Sequence, residues 1–297
     1  MKKAYKLLVA AFSLVLCSGL QACHNNEEVP HGYPILFRCA DVTRAETTVT
    51  TLQNDPEGFD VYAYFEANVS EFKFNKNVIY KDGVWGYTGD IEYWLPGATY
   101  WFKAVYPKGL GTIDNSSSAM NLTISNYSIA DQTDILVATA DELVVNSAIG
   151  APDTGSVVNL TFQHLLANVV IKIKAEVNVT INEVTLKYVP IKCSYTDNNW
   201  SPSDHGNMSQ EDLNASLSPA AEPAEFGFLA FPQSANGVKL FIRTSDKDYE
   251  IPIPTITWNA GVKYTYTLTI KQNDILFDEP TIKEWDEESA TGSVVIK

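Results

Sequence analysis

The residues of this chain whose types could do chemistry are four cysteines, four histidines and an acidic tail, and their spacing sets one apart. Cys23 has the most specific surroundings. It follows a basic head, Met1-Lys2-Lys3-Ala4-Tyr5-Lys6, an apolar run at residues 7–16 and the small-residue exit Leu20-Gln21-Ala22. The run is too short to span a bilayer as a permanent anchor. Head, run and exit together make a secretory signal over residues 1–22, set aside from the fold. The histidines (His24, His31, His164 and His205) are scattered, two of them in the polar stretch after the signal. No Gly-x-Ser-x-Gly, His-Glu-x-x-His or phosphate-cradling glycine loop occurs. Asp204-His205-Gly206 reads as a polar turn, and His164 as a buried, hydrogen-bonded side chain rather than a metal ligand. Asp278, Glu279, Glu284, Asp286, Glu287 and Glu288 offer oxygen donors of the kind calcium takes, but without a regular ligand spacing or a turn glycine. Neither an enzyme nor a cofactor or metal is expected.

The chain has 297 residues, and removing residues 1–22 leaves 275, more than one ordinary core serves, so two domains are expected. Lys2, Lys3 and Lys6 leave with the signal, which moves the formal charge from -15 to -18. Such a surface repels phosphates and excludes nucleic acid as a partner. With Cys17 inside the signal and Cys23 at its exit, Cys39 and Cys193 remain. They could pair, but pairing needs geometry that a sequence does not carry, and they read as two unpaired or semi-buried thiols. No second apolar stretch approaches membrane length, so the mature chain is expected to be anchored rather than spanning.

The elements that must position any site are strands. Ile35, Phe37 and Cys39 alternate with Leu36, Arg38 and Ala40. Phe59, Val61, Ala63 and Phe65 share one face while Tyr62 and Tyr64 share the other. Trp101, Lys103 and Val105 alternate with Phe102, Ala104 and Tyr106 until Pro107. The same pattern recurs at Val169, Ile171 and Ile173, and at Tyr264, Tyr266, Leu268 and Ile270. Alternating β-branched and aromatic residues mean half-buried strands. Turn signals such as Asn54-Asp55-Pro56, Lys81-Asp82-Gly83, Leu95-Pro96-Gly97 and Asn236-Gly237 separate them. The expected fold is therefore all-β, built of antiparallel sandwiches.

A loop-like stretch at residues 146–156 precedes the apolar run that starts at Val157, and it marks a domain edge. The division reads as a signal at 1–22, a tether at 23–33, an N-terminal sandwich at 34–150 and a C-terminal one at 151–297. The polar stretch 198–225 reads as a long loop, or a short helix after Ser209. Most of the six tryptophans and fifteen tyrosines must fill the cores, though aromatic faces also stack on pyranose rings.

Two resemblances follow from these residues. Leu20-Gln21-Ala22-Cys23 resembles the lipobox of bacterial lipoproteins, which implies acyl chains on Cys23 and an outer-membrane anchor; several chains at one site hold stably where one does not. The nearby Glu27-Glu28 resembles the surface-export signal of Bacteroides-group lipoproteins, although a solvated linker explains it as well. An ordered set then resembles the fimbrillins of the Bacteroides and Porphyromonas group. It runs Ile35-Leu36-Phe37, Thr43-Arg44-Ala45, Phe59-Asp60-Val61-Tyr62-Ala63-Tyr64, Tyr93-Trp94-Leu95-Pro96 and the strand ending at Pro107. It continues with Asp134-Ile135-Leu136-Val137-Ala138, Val158-Asn159-Leu160-Thr161-Phe162-Gln163-His164-Leu165 and Ile282-Lys283-Glu284-Trp285.

That resemblance implies two transthyretin-like, Greek-key sandwich domains and assembly into fimbriae with other subunits. It also implies a trypsin-like cut between Arg44 and Ala45 that releases the leading strand. Loss of Ile35, Phe37 and Cys39 would open a groove at a cost of roughly 4 to 8 kcal/mol, beside an unpaired sheet edge. A strand from the next subunit would fill it through backbone hydrogen bonds and alternate side chains, with Val294, Val295 and Ile296 as the donor residues. A host protein or glycan would be the adhesion target. The rival reading is a glycan-binding surface lipoprotein that never polymerises.

Overall fold

The computed structural model describes residues 32–43, 49–67, 70–196, 198–272 and 274–284. The signal, Cys23 and most of the tether, Arg44 and Ala45, and the donor residues Val294, Val295 and Ile296 lie outside these residues. One helix accompanies the strands. The chain opens with β1 (Leu36–Thr43), α1 (Val49–Asn54), β2 (Phe59–Ala67), β3 (Ser70–Lys81), β4 (Val84–Tyr87) and β5 (Thr99–Tyr106). There follow β6 (Thr112–Asp114), β7 (Asn121–Ser128), β8 (Leu136–Asn146), β9 (Ala151–Pro152), β10 (Val157–His164) and β11 (Ala167–Ala175). Next come β12 (Val179–Thr196), β13 (Asn199–Gln210), β14 (Ala215–Leu217), β15 (Ala224–Ala230) and β16 (Gln233–Ser234). The last are β17 (Lys239–Thr244), β18 (Asp248–Pro252), β19 (Thr257–Trp258), β20 (Val262–Ile270), β21 (Ile275–Phe277) and β22 (Thr281–Glu284).

The all-β expectation holds, and its cause is visible in the side chains. Along β2 and β5 the inward set (Phe59, Val61, Ala63, Tyr100, Phe102 and Ala104) is completely buried. The β3–β4 hairpin turns on Asp82 and Gly83, with φ of 53° and 86°, the left-handed pair that a two-residue turn needs. The first sheet runs in the order β1-β10-β8-β5-β2-β3-β4, with β9 added to β8. Its two ends approach each other, because the Tyr87 hydroxyl of β4 donates to the Ile35 carbonyl beside β1 at 2.9 Å. The sheet thus curls around one core, which Leu52 of α1 joins. A second core lies between a sheet ordered β15-β11-β20-β21, with β22 also on β20, and a sheet ordered β18-β17-β12-β7-β6, which carries β13 and β14 on β12.

Most ladders are antiparallel, but β1 on β10 and β11 on β20 run parallel. The pairings also cross the edge drawn at residues 150 and 151. β10, from beyond it, completes the first sheet, while β6 and β7, from before it, join the sheet of β12. Loop composition reports exposure, not which sheet a strand enters. The polar stretch at 198–225 corrects the loop reading: β13 pairs along β12 from Val184↔Gln210 to Thr196↔Asn199. Met208 is the one buried side chain of β13, and Trp200 packs against the same core, so the strand has no regular apolar face to betray it and takes its order from the ladder to β12. Cys39 and Cys193 are both buried and lie in separate cores, so they do not pair. Burial pushes the Cys193 thiol up to about 12.

The open edge of β15 is closed by a side chain. Gln132, itself in the left-handed region at φ 49°, accepts from Leu229 N at 2.6 Å and donates to Leu229 O at 3.2 Å. Its amide copies the two bonds of a neighbouring strand. Gln210 donates similarly to Gly227 O at 2.6 Å. Gln132→Ala is expected to lower stability by about 1 kcal/mol and, by baring an edge, to promote self-association. Urea unfolding with light scattering checks both effects; an unchanged scattering profile would show that the edge needs no such guard.

Candidate functional site: the leading-strand groove

β1 is the first strand of the described chain, and alternation from Ile35, just ahead of it, places three side chains inward. Ile35, Phe37 and Cys39 are 0%, 3% and 5% exposed, while Leu36 and Arg38 face outward. The three named as strand-exchange residues on the accepting side are therefore brought together in one buried row. Phe37 meets Phe102 edge-on at 5.5 Å between centroids, and its other flank lies 5.8 Å from the Tyr87 ring. Val158, Leu160 and Phe162 of β10 share that core.

The backbone of β1 is held by a ladder on one side. It runs parallel to β10 from Leu36↔Val157 to Thr43↔Gln163, with an irregularity between Cys39 and Asp41. On the outer face, the Arg38 guanidinium donates twice to Asn159 Oδ1, at 2.8 and 3.1 Å. On the other side no ladder forms within the described residues; there the Tyr87 hydroxyl donates to Ile35 O, and Ile35 N donates to Glu92 O at 2.8 Å. Tyr87 is itself positioned: Glu92 N donates to its hydroxyl at 3.2 Å, and Lys76, paired with Glu92 at 2.7 Å, lies 5.4 Å from its ring. Burial, first among the causes, raises the Tyr87 pKa and keeps the phenol a donor.

The entrance is fixed by Trp94, which is 1% exposed. Its indole donates to Ser156 O at 3.1 Å, and its backbone N donates to Tyr33 O at 3.0 Å. Pro34, which lacks a donor, makes only an isolated antiparallel bridge to Tyr93 ahead of the strand. At the far end the described part of β1 runs to Thr43, and residues 44–48, with Arg44 and Ala45 among them, lie outside the described residues. Sequence reading found the row of β1 but not its partner. Val158, Leu160 and Phe162 alternate strongly, yet nothing in the sequence says that they pair with a strand some 120 residues earlier. Tyr87 gives no signal apart from being an aromatic at a strand end.

His164 accords with its reading as a buried, hydrogen-bonded residue: Nδ1 lies 2.6 Å from Asp134 Oδ2, at the end of β10. His205 and Asp204 sit within β13 rather than in a turn. Among the described residues, no three His, Cys, Asp or Glu side chains gather closely enough to hold a metal ion.

The architecture defines an all-β sandwich protein of the kind seen in fimbrial proteins. The fimbrillin-like family model matches residues 43–285, and the chain belongs to that family. A fimbrial protein from Bacteroides vulgatus shares the fold at a TM-score of 0.63 and 19% identity, over 85% of this chain and 99% of its own. A candidate cell adhesion protein from Bacteroides ovatus matches at 0.57 and 18%, over 86% and 99%. Another from Bacteroides uniformis matches at 0.50 and 16%, over 85% and 98%. A search of curated proteins gives no match.

Proposed function

We propose that this chain is a fimbrial subunit, held at the outer membrane by lipid on Cys23 and assembled by protease-triggered strand exchange. The observation that carries the reading is β1 itself, which precedes Arg44 in the chain: a ladder to β10 on one side and a row of three buried side chains. Cleavage between Arg44 and Ala45 would leave β1 held only by non-covalent contacts. Its departure would open a groove between β10 and Tyr87, floored by Phe102 and Phe162. The contiguous Val294, Val295 and Ile296 of a neighbouring subunit would supply the donor strand, with Val294 and Ile296 on one face, spaced as Ile35 and Phe37 are, and Val295 on the other. The two cores then correspond to two transthyretin-like sandwiches, and other fimbrial subunits are the partners. A host protein or glycan is the adhesion target.

Trypsin treatment of the purified precursor, followed by sizing and N-terminal sequencing, tests this. A new terminus at Ala45 should appear together with higher-mass species. A chain that begins at Ala45 and stays monomeric would end the strand-exchange reading. The anchor is tested separately: fatty-acid labelling should mark the wild type and miss Cys23→Ala, and equal labelling of both would rule out a lipid on Cys23.

A further inference from the structure

The outer face of the first sheet carries a second feature, on the side away from the core that Ile35, Phe37 and Cys39 join. On β5, Trp101, Lys103 and Val105 point away from the first core. Val105 is 1% exposed and shares a cluster with Met120, Leu122 and Ile124, so residues 120–124 roof that end of the face. The roof stops at Met120. Beyond it opens a cleft of about 300 Å³ lined by Trp101, Lys103, Met120, Thr139, Asp141 and Glu142, at the lower end of the range for small-ligand sites.

The cleft walls are built by irregular backbone. Tyr100 pairs with Leu143 and Phe102 with Ala140, so Asp141 and Glu142 bulge out opposite Trp101 alone. β8 pairs with β10 only at Leu136 and Val137 and with β9 only at Val145 and Asn146, so at Asp141 and Glu142 its side away from β5 carries no ladder among the described residues. Glu142 at φ 53° and Met120 at φ 45° both occupy the left-handed region, which disfavours side chains that are not glycine. Such bulges re-aim side chains, and such conformations cluster at ligand sites. The Lys103 ammonium donates to Met120 O at 2.6 Å. Burial lowers its pKa, and the charge of Asp141 opposes that shift.

We propose that this cleft binds a neutral pyranoside, with the Trp101 ring against the sugar's C–H face, Asp141 and Glu142 accepting from its hydroxyls, and Lys103 donating to one of them. A ring next to paired carboxylates and a single ammonium suits a ligand with an apolar face and a polyhydroxyl rim. The two carboxylates, on a chain of formal charge -15, oppose an anionic sugar. Hydrogen bonds from hydroxyls to carboxylates are of the strong, charge-assisted kind.

The test is titration calorimetry and saturation-transfer NMR on the uncleaved chain, with the methyl glycosides of glucose, galactose, mannose and N-acetylglucosamine at millimolar concentration. At least one should bind, with saturation transferred to ring C–H protons. Glu142→Gln, an exposed change that leaves both cores alone, should raise its Kd roughly tenfold or more, and Trp101→Ala should abolish binding. Trp101 also packs on Tyr64 at 5.6 Å, so if Trp101→Ala fails to fold, Glu142→Gln decides. Binding of none of the four glycosides overturns the proposal, as does binding that Glu142→Gln leaves unchanged. Choline serves as a cationic probe; saturable choline binding without glycoside binding would make this a cation site instead.

Discussion

Arg44→Ala subunits are expected to fold, to carry their lipid and to build no fibres. β1 cannot leave while it is covalently continuous with α1, because Leu52 of that helix is fully buried in the core that Ile35, Phe37 and Cys39 complete. With β1 in place, the β10 edge is paired and the groove is full, so an incoming strand has neither hydrogen bonds nor pockets to take. The effect on assembly is expected to be all or nothing. Electron microscopy and sizing of protease-treated protein check it. Fibres of normal length from Arg44→Ala would move the cut elsewhere. Arg38 is a poor substitute: its guanidinium is engaged by Asn159 inside a formed ladder.

Phe37→Ala should do two opposite things. It deletes a 3% exposed ring set against Phe102 and Tyr87, and large-to-small changes of this kind cost about 3–5 kcal/mol. Urea unfolding of the precursor should show that loss. After cleavage the same change weakens the grip of the departing strand while leaving the groove's own walls intact, so fibres should form faster than from the wild type. A loss of stability with no gain in assembly rate would show that β1 packs as described but is not the piece that leaves.

How legible this was depended on whether a strand has one wet and one dry face. β20 alternates cleanly because one face covers a core, and β2 and β5 do so over their first halves, so their residues announce them; β11 is buried on both faces from Ala167 to Ile171 and shows period two only towards its end. β13 does not: only Met208 is buried in the core and Trp200 packs against it, and its partner β12 supplies the order. The parallel pairing of β1 with β10, and the transfer of β6 and β7 to the sheet of β12, are long-range choices with no local signature. At the groove, the buried row of β1 was readable from period two alone. Tyr87 was not, because its role comes from the curl that brings the ends of the first sheet together. The cleft beside Trp101 was hidden for a similar reason. The bulge at Asp141 and Glu142 is a register shift, and register is a property of two strands.

The central claim, that β1 must leave for subunits to join, can be tested by locking it in place. Arg38 and Asn159 are register partners, both exposed, with their side chains already in contact. Arg38→Cys with Asn159→Cys, in a Cys23→Ser background, would place two thiols on adjacent strands within disulfide reach. Protein oxidised and then cut after Arg44 should remain monomeric, and reduction should release β1 and start fibre growth in the same tube. Fibres that grow equally well with the disulfide closed would contradict the account.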